Sequence, residues 1–146
     1  MQVAMIPNDH VDIVWDSVKD YLEGAAQYTY GRYTVEDIYD CIKEYDYILW
    51  IAFDKDKIKA AVVTNFTHYP RKKYLNMVFC GGEEINTWIK PIIKMLQCWA
   101  FDNKCDGLEA TARLGWVKVF KNDGYKPLWQ TFQLPAADAG LGVRHG

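Results

Sequence analysis

Several residue types that mark particular protein classes are scarce in this sequence of 146 residues. Ser17 is its only serine and no Gly-x-Ser-x-Gly motif occurs, which argues against a serine hydrolase. The histidines are scattered and none lies at ligand spacing from a cysteine, so we predict no metal site. No apolar run approaches the length of a membrane span and no secretory leader precedes the first helix, so we expect a cytoplasmic protein.

Neither sign of charge dominates, because the sequence contains 17 lysines and arginines and 19 acidic residues, which gives a net charge of −2. This balance gives no electrostatic reason to expect a nucleic-acid or membrane partner. Half of the residues are hydrophobic, which is typical of an ordered single domain. The cysteines show no paired spacing and indicate buried, reduced thiols; they are Cys41, Cys80, Cys98 and Cys105.

Hydrophobic periodicity predicts one domain over residues 1–135 and a flexible polar tail over 136–146. Two amphipathic helices come first, and the second begins at a capping box formed by Thr34 and Asp37. The later predicted elements are strands at 47–53, 58–66 and 74–80, a long helix at 87–102, a strand at 108–112, a short helix at 116–121 and a strand at 128–134.

A short motif surrounds the last predicted helix: Arg113-x-Gly115-Trp116 precedes it and Gly124-Tyr125 follows it. A glycine that ends a helix in the left-handed conformation avoids a cost of about 1 kcal/mol. With the element order, this motif resembles the GNAT acetyltransferases, above all the small GNAT-like proteins that bacteriophages encode. The resemblance implies an α+β, three-layer fold: a mixed central sheet with antiparallel N-terminal strands, a long central helix and a C-terminal strand-helix-strand. Residues 2–6 are available for the family's optional first strand.

The resemblance further implies that an active member binds acetyl-CoA through main-chain groups of the central strand and through N–H groups before the long helix. The corresponding strand residues here are Leu75, Met77 and Phe79. Gly81 and Gly82 follow, but the family's Arg/Gln-x-x-Gly-x-Gly/Ala pattern is absent, and Glu83 and Glu84 lie where phosphates would arrive. Each carboxylate at about 4–6 Å opposes a pyrophosphate by around 1 kcal/mol or more. We therefore expect a glycine turn, a degenerate acyl-CoA site and no cofactor, unless the enzyme interpretation holds.

An active member also needs a general acid and a base. The register of the family's catalytic tyrosine falls on Phe120, which has no proton to donate. Tyr125 is the candidate acid, with Tyr74 as another, although Tyr125 also fits a core position. Glu109 on the penultimate strand is the candidate base, with His68 as another, and a solvated glutamate is the alternative interpretation.

Two surface patches are candidate partner sites. The loop between the first two helices is rich in tyrosine, which is enriched at protein interfaces. A basic turn lies between the second and third of the five predicted strands, and its alternative interpretation is solvated charge. The residues of the two patches are Tyr28, Tyr30 and Tyr33, and Arg71, Lys72 and Lys73.

The degenerate site favours a non-catalytic, phage-type structural or binding component of a larger assembly, either a virion or a host-directed complex. An active acyl-CoA-dependent N-acetyltransferase with an atypical pyrophosphate loop is the alternative, and a small inhibitor of a host enzyme is the third hypothesis. The protein would be cytoplasmic in the producing or host cell, or incorporated into a phage particle.

Overall fold

A five-stranded sheet with helices against both faces is the framework of this chain, and the computed structural model describes residues 1–138 without the side chains of Leu114 and Val117. The strands are β1 (Gln2–Ile6), β2 (Ile48–Asp54), β3 (Lys57–His68), β4 (Lys73–Gly82) and β5 (Gly107–Ala110). The helices are α1 (Val11–Ala26), α2 (Val35–Glu44), α3 (Ile89–Asp102) and α4 (Val117–Asn122). The strands lie in chain order; β1 to β4 pair antiparallel, and β5 pairs parallel with β4.

This mixed α+β sheet confirms the predicted fold class, including the optional first strand and the long helix. The strand predicted at 128–134 is wrong, because residues 125–138 contain neither a helix nor a strand. The alternation of apolar residues there is typical of a strand, but the segment pairs with no described strand, and the outer edge of β5 has no partner within residues 1–138. Its apolar side chains are exposed, namely Leu128, Trp129, Phe132 and Leu134.

The start of α2 is fixed locally, as predicted. The Asp37 N–H donates to the Thr34 hydroxyl oxygen at 3.2 Å, and the Thr34 N–H donates to the Asp37 carboxylate at 2.9 Å. This reciprocal pair satisfies two backbone N–H groups that have no partner within the helix. The acidic side chain also lies at the positive end of the helix dipole.

Alternating residues of the central strands supply two apolar layers. Leu49, Ile51 and Val63 pack with α1 and α2, whereas their neighbours Trp50 and Val62 pack with α3. This division follows from the period of two in a β-strand. In the α3 layer the Trp50 indole N–H donates to the buried Thr64 hydroxyl at 2.9 Å, which satisfies both polar groups.

Gly81 and Gly82 lie within β4, so the turn expected at these glycines is wrong. They pair with Ala61 and Ala60 of β3. A Cβ on Gly81 would lie 2.1 Å from the main-chain oxygen of Tyr21 in α1, and one on Gly82 would lie 2.6 Å from that of Lys59. The glycines therefore permit close packing of backbone against backbone.

Within residues 1–138 no helix combines the length and the apolar character needed to cross a membrane.

Candidate active site

Strands β4 and β5 part halfway along β4. They pair from Tyr74–Gly107 to Met77–Ala110, and the Thr111 N–H then donates to the Met77 carbonyl at 3.3 Å. Beyond this point β4 continues against β3 alone, while the chain after β5 turns away into a 3-10 turn at Leu114–Trp116. The edge of β4 over residues 78–82 has no strand partner in the described part of the chain, so its main-chain groups are available to an extended ligand.

The predicted cofactor residues on β4 divide at this parting. Leu75 and Met77 are paired with β5, and their side chains are buried in the α3 layer. Phe79 lies beyond the last β4–β5 pair, and its side chain is buried in the other layer. The main chain is thus free on the β5 side at Phe79 and engaged at Leu75 and Met77.

Tyr125 lies beside the free part of β4. Its N–H donates to the Phe120 carbonyl at 2.9 Å and its ring centroid lies 4.9 Å from that of Phe120, after a left-handed Gly124 with φ of 92°. The buried hydroxyl oxygen has no hydrogen-bond partner within the described residues. Burial, with a smaller contribution from Cys80 on β4, raises the pKa of Tyr125 to about 12. The hydroxyl therefore keeps its proton at neutral pH and has no acceptor for it.

Three oxygen-bearing side chains form a row across β3, β4 and β5. Asn76 pairs in register with Asn65 on one side and with Glu109 on the other, so all three lie on the sheet face opposite α3. The Cβ atoms of such cross-strand pairs lie about 5 Å apart. The Oδ1 atoms of Asn65 and Asn76 are buried and have no partner in the described part, whereas the Glu109 carboxylate accepts a hydrogen bond from the Tyr69 hydroxyl at 3.1 Å. We call Asn65, Asn76 and Glu109 the oxygen row.

A groove of about 450 Å³ opens beside Glu109. The Tyr69 and Tyr74 rings meet edge to face in its wall, with centroids 6.0 Å apart, and the pKa of Tyr69 is raised by burial and then by its bond to Glu109. The other lining residues are Pro70, Arg71, Lys72, Leu128 and Trp129. The groove therefore combines aromatic walls with one acidic and two basic side chains.

The acidic loop after β4 is neutralised by lysines of β3. Glu83 accepts a hydrogen bond from Tyr21 at 2.9 Å and pairs with Lys57 at 3.3 Å, while Glu84 pairs with Lys59 at 3.6 Å. The Tyr21 hydrogen bond, followed by Lys57, lowers the pKa of Glu83. These contacts reduce the repulsion that the two carboxylates would exert on a phosphate, and they hold the loop in place.

The tyrosine loop contacts β4 and the segment after β5. The Arg113 guanidinium lies over the Tyr28 ring at 4.2 Å from its centroid, which joins the α1–α2 loop to the segment after β5. Tyr33 packs edge-on against Phe79 at 5.0 Å. Tyr30 is 82% exposed, so it is the most accessible of the three for a partner.

The basic turn is only partly free. Lys73 donates to the Asn103 carbonyl at 2.9 Å and lies over the Phe66 ring, and Lys72 pairs with Asp106 at 3.9 Å. Arg71 is exposed and lines the groove. Among the described residues, no cluster of His, Cys, Asp and Glu has the geometry to hold a metal ion.

Sequence reasoning missed Asn65, Asn76 and Tyr69. A signal was present, because Asn65 and Asn76 each interrupt an apolar strand. Their meeting with Glu109 depends on the register of three strands, which no local pattern encodes.

No protein-family model matches the sequence, and no curated protein matches it.

Solved structures with a similar fold include several acetyltransferases. Ribosomal-protein-alanine N-acetyltransferase from Brucella melitensis biovar Abortus 2308 has a TM-score of 0.71 at 11% identity, with 93% of this chain and 100% of that one covered. A predicted acetyltransferase from Clostridium acetobutylicum, solved with acetyl-CoA, has a TM-score of 0.65 at 13% identity over 92% and 95% of the two chains. A GCN5-related N-acetyltransferase from Ralstonia eutropha JMP134 has a TM-score of 0.66 at 9% identity over 93% and 99%. These likenesses establish the GNAT fold.

Proposed function

We propose that this chain is an acetyl-CoA-dependent N-acetyltransferase that uses the parting of β4 and β5 as its cofactor cleft. The observation that carries the proposal is the buried, protonated Tyr125 hydroxyl, which has no described partner and lies beside the free edge of β4. An unsatisfied buried hydroxyl costs about 1–3 kcal/mol, so its retention calls for an explanation. Donation of a proton to a leaving group in the cleft supplies one.

The cleft suits the arm of acetyl-CoA better than its phosphates. Free main-chain groups over residues 78–82 match the amides of an extended pantetheine arm. The N-terminus of α3 is the positive end of a helix dipole, which favours phosphate binding. Glu83 and Glu84 precede it, however, and the family's basic residue is absent. The lysine pairs offset this repulsion, so we expect binding that depends mainly on the arm.

Two side chains of the site provide the proton transfers. Acetyl-CoA supplies the activated acetyl group as a thioester. Glu109 takes a proton from the ammonium of the acceptor, which leaves an amine free to attack, and the Tyr125 hydroxyl protonates the departing thiolate sulfur. The acceptor nitrogen loses its second proton to solvent as the amide forms, and the Tyr125 oxygen regains a proton from solvent. The Asn76–Glu109 pair is one residue, or about 3.3 Å, from the last β4–β5 pair, so the base lies at the mouth of the cleft.

Acetyl-CoA should stabilise the protein against heat. A ligand at about a hundred times its dissociation constant adds roughly 2.7 kcal/mol, which for a domain of this size raises Tm by several degrees. Scanning fluorimetry should show this rise with acetyl-CoA and most of it with S-acetylpantetheine, but little with adenosine 3′,5′-bisphosphate. A flat melt with both acetyl compounds at millimolar concentration would contradict the proposal.

Glu109→Gln should lower kcat about 100-fold at neutral pH, because the amide cannot take the proton of the ammonium. The deficit should shrink as the pH approaches the pKa of the acceptor amine, where the base is no longer needed. Acetyl transfer to a mixture of primary amines, followed by mass spectrometry, provides the assay. Glu44→Gln, at an exposed position on α2, is the control and should act like the wild type at every pH. An unchanged kcat in Glu109→Gln would rule out Glu109 as the general base.

A second candidate function is the non-catalytic binding component that the sequence favoured, in a phage particle or elsewhere. Its support is the exposed apolar segment after α4, in which Phe132 and Leu134 are 87% and 90% exposed. Such a segment can add a strand to the sheet of a protein partner. Residues 139–146 of the predicted tail lie outside the described residues. This function gains support if acetyl-CoA leaves Tm unchanged and the chain forms a stable complex through residues 128–134.

A further inference from the structure

A second groove, of about 270 Å³, lies between the edge strand β1 and helix α3. Three sulfur-bearing side chains line it, namely Met5 of β1 and Met95 and Cys98 of α3. All three are exposed, and the two methionines are 39% and 38% accessible. Because β1 is at the edge of the sheet opposite β5, this groove is separate from the cleft beside β4. We call Met5, Met95 and Cys98 the sulfur cluster.

The helix and the sheet bring the sulfur cluster to one place. Met95 and Cys98 are three positions apart on α3, which puts their Cβ atoms about 5–6 Å apart on one helix face. Met5 pairs in register with Trp50, whose ring meets that of Trp99 of α3 at 5.8 Å, so Met5 lies on the α3 side of the sheet. The methionine side chain has three rotatable bonds, so both thioether sulfurs can turn toward the Cys98 thiol.

The donor atoms of this groove are soft. Thioether and thiolate sulfurs select Cu(I) over harder cations. Zinc sites use thiolate, imidazole and carboxylate ligands, usually four of them, and the groove offers only Cys98 and Asp102 of these types. The ligand set therefore favours a soft monovalent ion.

The charge around the groove also favours a cation. Cys98 and Asp102 lie near the C-terminus of α3, which is the negative end of the helix dipole. The Asp102 carboxylate lines the groove and forms no ion pair with a described residue. The rings of Trp50 and Trp99 complete the lining, and the face of an indole attracts a cation.

We propose that the sulfur cluster binds one Cu(I) ion, with Met5, Met95 and Cys98 as its ligands and Asp102 as a nearby counter-charge. Cys98 binds as the thiolate, so its proton passes to solvent as the copper–sulfur bond forms. The prediction of no metal site considered histidine and cysteine spacing, and thioether ligands lie outside that criterion. This inference does not depend on acetyl transfer.

The first test uses Ag(I), a soft monovalent cation that does not change its oxidation state during the titration. The chain has four methionines, so protein labelled with 13C at the methionine methyl groups gives few NMR signals. One equivalent of Ag(I) in chloride-free buffer should shift the signals of Met5 and Met95. Met77, which is 3% exposed in the core, is the internal control and should not move. A thiol that bound Ag(I) alone would leave the Met5 signal unmoved, and that result would overturn the site.

Three variants test the ligands of Cu(I), with bicinchoninate as the competing chelator under anaerobic conditions. Loss of a group that only supports a ligand costs about 10- to 100-fold in metal affinity, so Met95→Leu and Cys98→Ser should each cost at least as much. Cys41→Ser, on α2 at the opposite face of the sheet, is the control and should keep the wild-type affinity. Wild-type affinity in Met95→Leu would contradict the proposal.

Thermal melts test the preference for a soft ion. Buffered Cu(I) in excess over its dissociation constant should raise Tm by several degrees, because it joins α3 to β1 in the folded protein alone. The rise should disappear in Cys98→Ser and should add to that from acetyl-CoA, since the two sites are separate. An equal rise with Zn²⁺ would overturn the assignment of a soft-metal site, whatever acetyl-CoA does.

Discussion

Tyr125→Phe should lower kcat by about 10²- to 10⁴-fold while leaving the protein at least as stable as the wild type. The ring keeps its contact with Phe120, and the atom removed is a buried hydroxyl without a described partner, so its loss breaks no hydrogen bond. Steady-state kinetics and urea unfolding on the same preparation measure both quantities. The two results together separate a proton donor from a core residue, because a core tyrosine would show no effect on kcat.

The control for this variant is Tyr39→Phe. The Tyr39 hydroxyl donates to Asp12 at 2.6 Å on the surface, so its removal breaks a hydrogen bond and leaves catalysis untouched. The loss of kcat in Tyr125→Phe should also be smaller with an acetyl thioester whose thiol is more acidic, because a better leaving group needs less protonation. An equal defect with both thioesters would contradict the role of general acid.

The Tyr125 hydroxyl also makes the free energy of unfolding depend on pH in the alkaline range. The folded protein holds the pKa of Tyr125 at about 12 against an ordinary value of 10.0, so folding favours the protonated form. This contribution is complete below pH 10 and is lost as the pH rises toward 12. Burial and Glu83 also raise the pKa of Tyr21 to about 12. Tyr21 therefore contributes to stability over the same pH range, and its contribution remains in Tyr125→Phe.

Gly81→Val should destabilise the fold by about 3 kcal/mol or more, a large share of a typical folding free energy of about 5–15 kcal/mol. The new Cβ would lie 2.1 Å from the Tyr21 main-chain oxygen, and backbone on both sides leaves no flexible group to yield. Urea unfolding, read as the midpoint at constant m-value, gives the change.

Gly24→Ala is the matched control, since it adds a Cβ to the same helix with nothing within 4 Å. An alanine inside a helix gains about 0.5–1 kcal/mol over glycine, so this variant should be more stable than the wild type. If Gly81→Val instead unfolded at the wild-type midpoint, the main chain of α1 at Tyr21 would not pack directly against Gly81.

The predictions that succeeded depended on patterns within a few residues. Thr34 and Asp37 reveal the start of α2 because a capping box is complete in four positions. The β2–β3 turn was equally clear, since a polar stretch separates two runs of β-forming residues. The site lies where several such elements meet, and there the sequence was less informative.

The failures each involve a neighbour distant in the sequence. Gly81 is a glycine because Tyr21 lies against it, and nothing near residue 81 indicates that contact. Asn65 and Asn76 lie beside Glu109 only through the register of β3, β4 and β5. The alternation at 128–134 was real, but a pattern within one segment does not determine which strand, if any, it pairs with, and this segment pairs with none within residues 1–138.

The order of the strands has a consequence for how the cleft forms and opens. Strands β2, β3 and β4 are joined by short turns, so their contacts form early, while β5 reaches β4 only after α3 has crossed the sheet. The register then joins β5 to β4 at only four pairs of residues. We therefore expect detachment of β5 to be among the least costly openings of the folded protein, with the meander of β2, β3 and β4 still intact.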